Sequence, residues 1–507
     1  MQLNSRILRR NFLLFSVCLV LSASTLAQEG AKHHVRYGLF EIPTFGGPNS
    51  VFNVGSPIAL NRGTVVGAAN TAAPDPTCFD QALCFVQHGW KWRRGKLIDL
   101  GVLPGGFSSY TNGLNTKGLV VGQSEDGESD PLTGAPRFVA TVWDHGRIEN
   151  LGTLGGGFSI AIWPSNLGFV MGAAENGIPD TSGFVGFDGV SQIRGFGWRD
   201  GQMFDLGTLG GTGAFPAAMN DLEAIVGISP TSSIAGPFGV PPANPFLWKN
   251  GKMQDLGTLG GSWGGANAIS SRKEFVVGAS SLAAQPYGCA TSYFSGPGCR
   301  AFLWRNGHMY NLGTLGGSYS AAEQVNNAGE VSGFSGTNSQ SFHSFFWKRG
   351  RMIDLGTVAN DNFSRSEGIN DKGQVVGQSW LFDGVDTTAS HAFLWEQGGQ
   401  MMDLNELILN STDLYLIEAA FITDRGWIIA YGLTPNGDLH AAILVPENDL
   451  DEFGLGTELS TSGGNGMQQK TQVPPTPAML QPLDSQWRRG FGLHRLDVAR
   501  KHRTRYR

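Results

Sequence analysis

Charge is scarce in this chain of 507 residues: Asp, Glu, Lys and Arg together make up 15%, against about a quarter in an average globular protein. The formal net charge is −6, and a thinly charged, acidic body has no electrostatic footprint for a phosphate backbone, so no nucleic-acid partner is expected. Cysteine is also sparse, at five residues. None forms a Cys-x-x-Cys pair, which removes the usual zinc spacing and leaves no metal ligand set to assign. Beyond the N-terminus no apolar run approaches about 20 residues, so no transmembrane helix is expected. The Ser-x-Asp-x-Gly-x-Thr-Trp box of sialidase-like enzymes is absent. No combination of residues fixes a reaction, so no catalytic or cofactor-binding residue is assigned, and whether the chain is an enzyme stays open.

The N-terminus does carry information. Arg6, Arg9 and Arg10 precede an apolar run from Phe12 to Ala23 and a small-residue site at Thr25-Leu26-Ala27, the layout of an export signal over residues 1–27. The arginine pair also partly fits a twin-arginine leader. Its removal takes away three arginines and no acid, moving the formal charge from −6 to −9. Cys18 goes with it, leaving Cys78, Cys84, Cys289 and Cys299. Each pair is close in sequence, and in an exported chain both read as local disulfides.

What is abundant is glycine, 73 residues or about twice the average share, and it is distributed periodically. The stretch Pro245-Phe-Leu-Trp-Lys-Asn-Gly-Lys-Met-Gln-Asp-Leu-Gly-Thr-Leu-Gly-Gly261 returns almost unchanged at 301–317, with further copies anchored on Trp92, Trp143, Trp198, Trp347 and Trp395. Each unit reads as four short strands: one ending as in Gly368-Ile-Asn370, then Gln374-Val-Val-Gly377, then His391-Ala-Phe-Leu-Trp395, then Met352-Ile-Asp-Leu-Gly356. Asn-Gly or a similar pair joins the third to the fourth, a strong hairpin signal. The unit length matches a four-stranded propeller blade. The array opens on a lone fourth strand, Leu39-Phe-Glu-Ile42, and ends at 446 on a blade that lacks one. The expected fold is therefore all-β: an eight-bladed propeller over 28–446, closed by its N-terminal strand. A β-solenoid or stacked array is the alternative. Residues 447–507 have lost the pattern and are rich in Gly, Ser, Gln and Pro, so an unstructured tail is expected there.

Repetition also bears on role. The recurrent tryptophans read as inter-blade packing. The Asp or Asn before Leu-Gly, which alternates between charged and neutral types, reads as a hydrogen-bond partner of the turn. His88, His343, His391 and His440 recur just ahead of the third strand and read as structural. The acidic stretch 125–130 offers oxygen ligands for calcium, but a solvated loop is the simpler account. Glu223 stands where other units have a turn glycine. Unrepeated residues concentrate between second and third strands, at 68–87, 123–138, 173–194, 228–244 and 279–300, all on one face.

These motif blocks, in fixed order over 37–446, resemble the bacterial extracellular HAF-repeat family. The resemblance implies an exported repeat protein and carries no catalytic residues with it. The expected function is that of a secreted or cell-surface, non-enzymatic scaffold that binds a glycan, polymer or protein through the variable loops. The alternatives are a propeller hydrolase or lyase acting on extracellular polysaccharide, and a structural matrix or adhesive protein.

Overall fold

The computed structural model describes residues 35–480 apart from 53–62, 77–84, 94, 185–188, 237–238, 291–295, 340 and 454–471. The expected leader and the pair Cys78 and Cys84 lie outside the described residues. Among the described residues no helix is long and apolar enough to cross a membrane.

The chain forms a propeller of eight four-stranded antiparallel blades, with the strands side by side in chain order in all but the last. Blade 1 consists of Gly46–Val51, Thr64–Pro74, Phe85–Arg93 and Lys96–Asp99. Blades 2 to 6 take their strands from 109–152, 159–205, 215–255, 260–311 and 316–354 in turn. Blade 7 consists of Phe363–Ile369, Val375–Phe382, Thr387–Trp395 and Met402–Asp403. An isolated parallel pairing, Ala243 with Trp263, joins blades 4 and 5 into one continuous sheet. First strands of neighbouring blades pack against one another and so line the axis. Second strands are buried in their first halves, and wholly so in Ile225–Pro230 and Ile428–Leu433. Both their faces are covered by other blades, which is why the sequence there is a run of Val, Ile, Ala and Gly rather than an alternation.

Blade 8 is built from Tyr415–Ile422, Ile428–Leu433 and Leu439–Pro446, and is completed by the N-terminal strand Tyr37–Glu41, which runs antiparallel from Tyr37 opposite Pro446 to Glu41 opposite Ala442. The other side of that strand is covered too. Asn410 Oδ1 accepts from Leu39 N–H, Tyr37 C=O accepts from Leu409 N–H, and Leu450 lies against Gly38. Blade 8 then packs on blade 1, with Tyr431 donating to Phe52 C=O at 2.6 Å and Asn49 accepting from Leu439 N–H at 2.9 Å. The copies therefore close into a ring, which removes the solenoid alternative.

The repeated residues have repeated jobs. In most blades a buried serine on the first strand ties that blade to its predecessor. Ser320 accepts from Ala301 N–H and donates to Gly313 C=O; Ser109 and Ser364 do the same with Gly89 and Gly101, and with Ser344 and Gly356. Across the seam Ser50 does so with Ala441 and Ile42. A second stitch lies at the opposite end of the first strands. Asn370 Oδ1 caps its own turn at Lys372 and Gln374 N–H, while its amide donates to Thr423 C=O of the next blade. Asn326 repeats this onto Asn370, and Asn115 onto Ser165. The Asp or Asn before Leu-Gly accepts from the glycine N–H two residues on, as at Asp99, Asn150, Asp205, Asp255, Asn311 and Asp354. Trp92, Trp143, Trp304, Trp347 and Trp395 are buried in the blade contacts. The Leu-Gly-Gly connectors lie against the start of the following second-to-third connection. A Cβ on Gly106 would meet Glu125 C=O at 2.2 Å, so only glycine fits.

Two expectations need correction. The second and third strands run on into the supposed loops and pair there, as Pro74 does with Phe85 and Ser129 with Pro136. Backbone groups leaving a sheet still need partners, and the ladder supplies them. The tail is also ordered in two places. Residues Glu447–Phe453 form a 3-10 helix whose Asp449 accepts from Trp427 Nε1 at 2.6 Å, and Leu480 is buried in the cluster shared by blades 8 and 1. At Glu223 the turn keeps its left-handed shape without glycine, at φ 58°. Its carboxylate is held there by Ser165 at 2.7 Å and Arg199 at 2.5 Å.

Because the seam repeats the ordinary blade contact, Ser50→Ala and Ser320→Ala are expected to destabilise equally. Each costs about 1–3 kcal/mol for the backbone N–H left without an acceptor. Denaturant unfolding of the two variants checks this, and a much larger loss for Ser50→Ala would mark the seam as a weak point. Stability is also expected to fall as pH rises through neutrality. Burial lowers the His440 pKa, but the hydrogen bond and charge of Glu41 outweigh it and hold the value above that of a free imidazole. A raised folded pKa means the contribution is complete below the ordinary imidazole range and is lost above the folded value. Unfolding midpoints of wild type and His440→Gln across that range should converge on the alkaline side.

Candidate functional site on the propeller axis

The first strands of blades 2 to 8 each carry a one-residue bulge at the same place, and a bulge re-aims the side chain it carries. The bulged residue is Asn112, Ile162, Ala217, Asn267, Glu323, Glu367 and Ala420 in blades 2 to 8. All but Asn112 stay partly accessible beside buried neighbours, so this ring faces the axis. One tier nearer the loop-bearing face, blades 7 and 8 place Arg365 and Glu418 at equivalent positions, each opposite the residue that follows the paired second-strand glycine or alanine. The arc made by blades 6 to 8 is therefore charged, whereas blades 3 and 4 present Ile160, Ile162 and Phe215.

Three carboxyl groups surround one guanidinium. Arg365 Nη2 lies 3.0 Å from Glu323 Oε1 and Nε lies 3.1 Å from Glu367 Oε1. Arg365 retains 29% side-chain exposure, Glu323 16% and Glu367 12%. Glu418 is the deepest, 1% exposed, and neither carboxylate oxygen accepts a hydrogen bond from a described residue. Burial raises the Glu418 pKa well above the ordinary carboxylate range, and repulsion from Glu367 adds to this against the attraction of Arg365. Burial raises Glu367 as well, with Arg365 opposing and Glu323 reinforcing. Burial thus disfavours the charged form of Glu418 beside the ion-paired Glu323 and Glu367.

Above this cluster stands a collar of aromatic rings. Phe363 stacks on Trp380 at 5.7 Å and 16°, and Phe342 meets Phe363 at 5.1 Å, Trp380 at 5.4 Å and Phe334 at 5.4 Å. Tyr319 lies 6.4 Å from both Phe334 and Phe342. The Arg365 guanidinium sits 5.2 Å from the Phe334 ring centre, connecting collar to cluster. Cys289 and Cys299 form a disulfide and share a buried cluster with Phe334, against which Tyr319 and Trp263 pack, bracing this part of the rim.

The sequence-derived candidates fall elsewhere. His88 and His343 pair with Asp99 and Asp354 at 2.8 and 2.9 Å, and His391 with Asp361 at 2.8 Å; each ties a third strand to its surroundings. In the acidic stretch, Asp126 and Glu128 are held by Arg137, and Glu125 accepts from Phe107 and Ser108 N–H. Among the described residues no group of three or more His, Cys, Asp or Glu is arranged to hold a metal ion. Gly260-Gly-Ser-Trp-Gly264 spells Gly-x-Ser-x-Gly, but it lies at the start of the strand Gly260–Ile269 and not on the strand-to-helix turn that exposes a nucleophile. Glu323, Arg365, Glu367 and Glu418 lie on first strands and not in the variable connections, so the repeat pattern does not point to them. The available signal was charge on first strands that are otherwise apolar or small.

No family model and no curated protein matches the chain. Among solved structures it is similar to TolB from Acinetobacter baumannii, with a TM-score of 0.30 and 10% identity over 75% of this chain and 80% of that one.

Proposed function

We propose that this protein is an exported, non-enzymatic binding scaffold of the extracellular HAF-repeat kind that takes a glycan through the loop-bearing mouth of its axis. The observation that carries the reading is the half-buried collar of Tyr319, Phe342, Phe363 and Trp380, braced by the Cys289–Cys299 disulfide and opening onto hydrogen-bonding groups on the axis. Aromatic faces cover the apolar faces of sugar rings, and carboxylates and guanidinium meet hydroxyl groups. A rigid ring supplies the preorganisation that keeps the ordering cost of binding low.

A second reading is favoured by one specific feature. A propeller hydrolase or lyase needs two carboxyl groups in different protonation states near the axis. Glu367 and Glu418 differ in that they sit at unequal depth, one paired and one not.

The two readings separate in one experiment. The purified protein is incubated with a panel of soluble polysaccharides, recording retention on each and release of reducing ends or unsaturated products. The scaffold reading expects retention without product, and Trp380→Ala weakening it about tenfold. Product release abolished by Glu418→Gln would install the enzyme instead. No retention on any member would remove the glycan reading.

A further inference from the structure

We infer that the axial cluster of Glu323, Glu367 and Glu418 around Arg365 is a subsite for a protonated amine, so that the preferred ligand is a glycan bearing free amino groups. The inference rests on the glycan reading for its carrier, but the amine site stands on its own geometry.

Three carboxyl groups face one guanidinium, so the fully ionised cluster carries a charge of −2. It is set in an arc of the axis where the described partners are already used: Glu323 and Glu367 each give one oxygen to Arg365. The second observation is Glu418. It is 1% exposed and both its oxygens lack a hydrogen-bond partner among the described residues. A buried carboxyl without a donor is costly unless it stays protonated or something supplies the missing charge. A cation arriving beside Glu367 supplies it. Glu323 and Glu367 remain partly accessible and meet the ligand first. Arg365 is the cationic neighbour of Glu418 across the seam between blades 7 and 8. It can shift its pairing toward that deeper carboxylate as an ammonium takes its place.

The occupant is an ammonium rather than a divalent metal ion. A metal would need several oxygens converging at about 2.0–2.6 Å, and a guanidinium 3.0 and 3.1 Å from two of the three carboxyls stands in that position. An ammonium carries a single charge and three N–H donors, which suits acceptors spread over two tiers. The collar above, with Phe363 stacked on Trp380, is placed to hold the sugar ring that carries the amine. An anionic glycan is disfavoured by the same charge count, because Arg365 is outnumbered.

The test uses the full chain and calorimetry at a pH where amines are protonated. Four probes are compared: a β-1,4-glucosamine oligomer, its N-acetylated counterpart, a neutral glucan oligomer, and cadaverine as a diamine without sugar. The glucosamine oligomer is expected to bind at least about tenfold more tightly than its acetylated form, and Glu367→Gln and Glu418→Gln each to erase that preference. Cadaverine should compete with it. Far-ultraviolet dichroism and unfolding midpoints confirm that both variants fold, with Glu323→Gln as the substitute if either fails. Equal binding of the two oligomers, or a preference that survives both variants, overturns the amine site while leaving the glycan reading intact. Binding of cadaverine without any oligomer sustains the amine site and sinks the glycan reading.

Discussion

Everything in this molecule depends on five residues, Tyr37–Glu41, taking the outermost place in a blade made by the far end of the chain. A propeller blade has no core of its own. Its two faces are apolar and can be buried only by the blades on either side, so an array with free ends leaves two faces and a sheet edge in water. Here the last three-stranded remnant is completed by a strand more than 390 residues earlier, and the completed blade then meets blade 1 through the serine stitch used at other blade boundaries. The seam is ordinary in chemistry and exceptional only in chain separation. Such closure is entropically expensive to initiate, and the structure fastens it several times over, with Asn410, Leu409 and Leu450 on one side and Asn49, Phe52 and Tyr431 on the other.

That closure also explains where charge is tolerated. Blade interfaces admit small and apolar side chains, and many of their polar groups meet fixed partners such as Ser320 and Asn370. The axis is different, because the first strands of the blades converge there. Apolar side chains fill it in blades 3 and 4, at Ile160, Ile162 and Phe215, whereas blades 6 to 8 bring Glu323, Arg365, Glu367 and Glu418 to the same tiers. The bulge on the first strands of blades 2 to 8 makes this possible. It turns one side chain out of the alternation that would bury it, so a glutamate at that place reaches the axis instead of an interface.

The framework was legible in the sequence because repetition averages away local ambiguity. One copy of Val-Val-Gly reads as a strand or a buried helix turn, but seven copies at similar spacing beside Trp and Asp-Leu-Gly read only as a blade. The lone strand at Leu39 and the incomplete last unit even fixed the closure. The candidate site was illegible for the converse reason. Glu323 and Glu367 occupy a position that other units fill with Ile162, Ala217 and Asn267, and they lie 44 residues apart in the chain. Only the bulge and the ring bring them onto one guanidinium. Lengths of connections misled as well: what looked like long variable loops are partly extended hairpins, because the alternation of β-branched and polar residues in Gly-rich stretches is too weak to reveal pairing.

A buried carboxyl with no partner is normally removed by substitution, since an apolar residue of similar size stabilises such a place. Glu418 persists within a first strand whose neighbours Ile417 and Ala419 are wholly buried. The ring around it is rigid enough to hold it there: Tyr431 on the adjacent strand is locked onto Phe52 across the seam, and Ser390 from blade 7 donates to Ile417 C=O at 3.0 Å. Strain of this kind survives only where the surroundings over-determine the conformation. The same rigidity that closes the propeller therefore allows an acid without a hydrogen-bond partner among the described residues to remain on the axis beside a guanidinium, two further carboxylates and an aromatic collar. In a flexible protein Glu418 would turn to water, and the site would disappear with it.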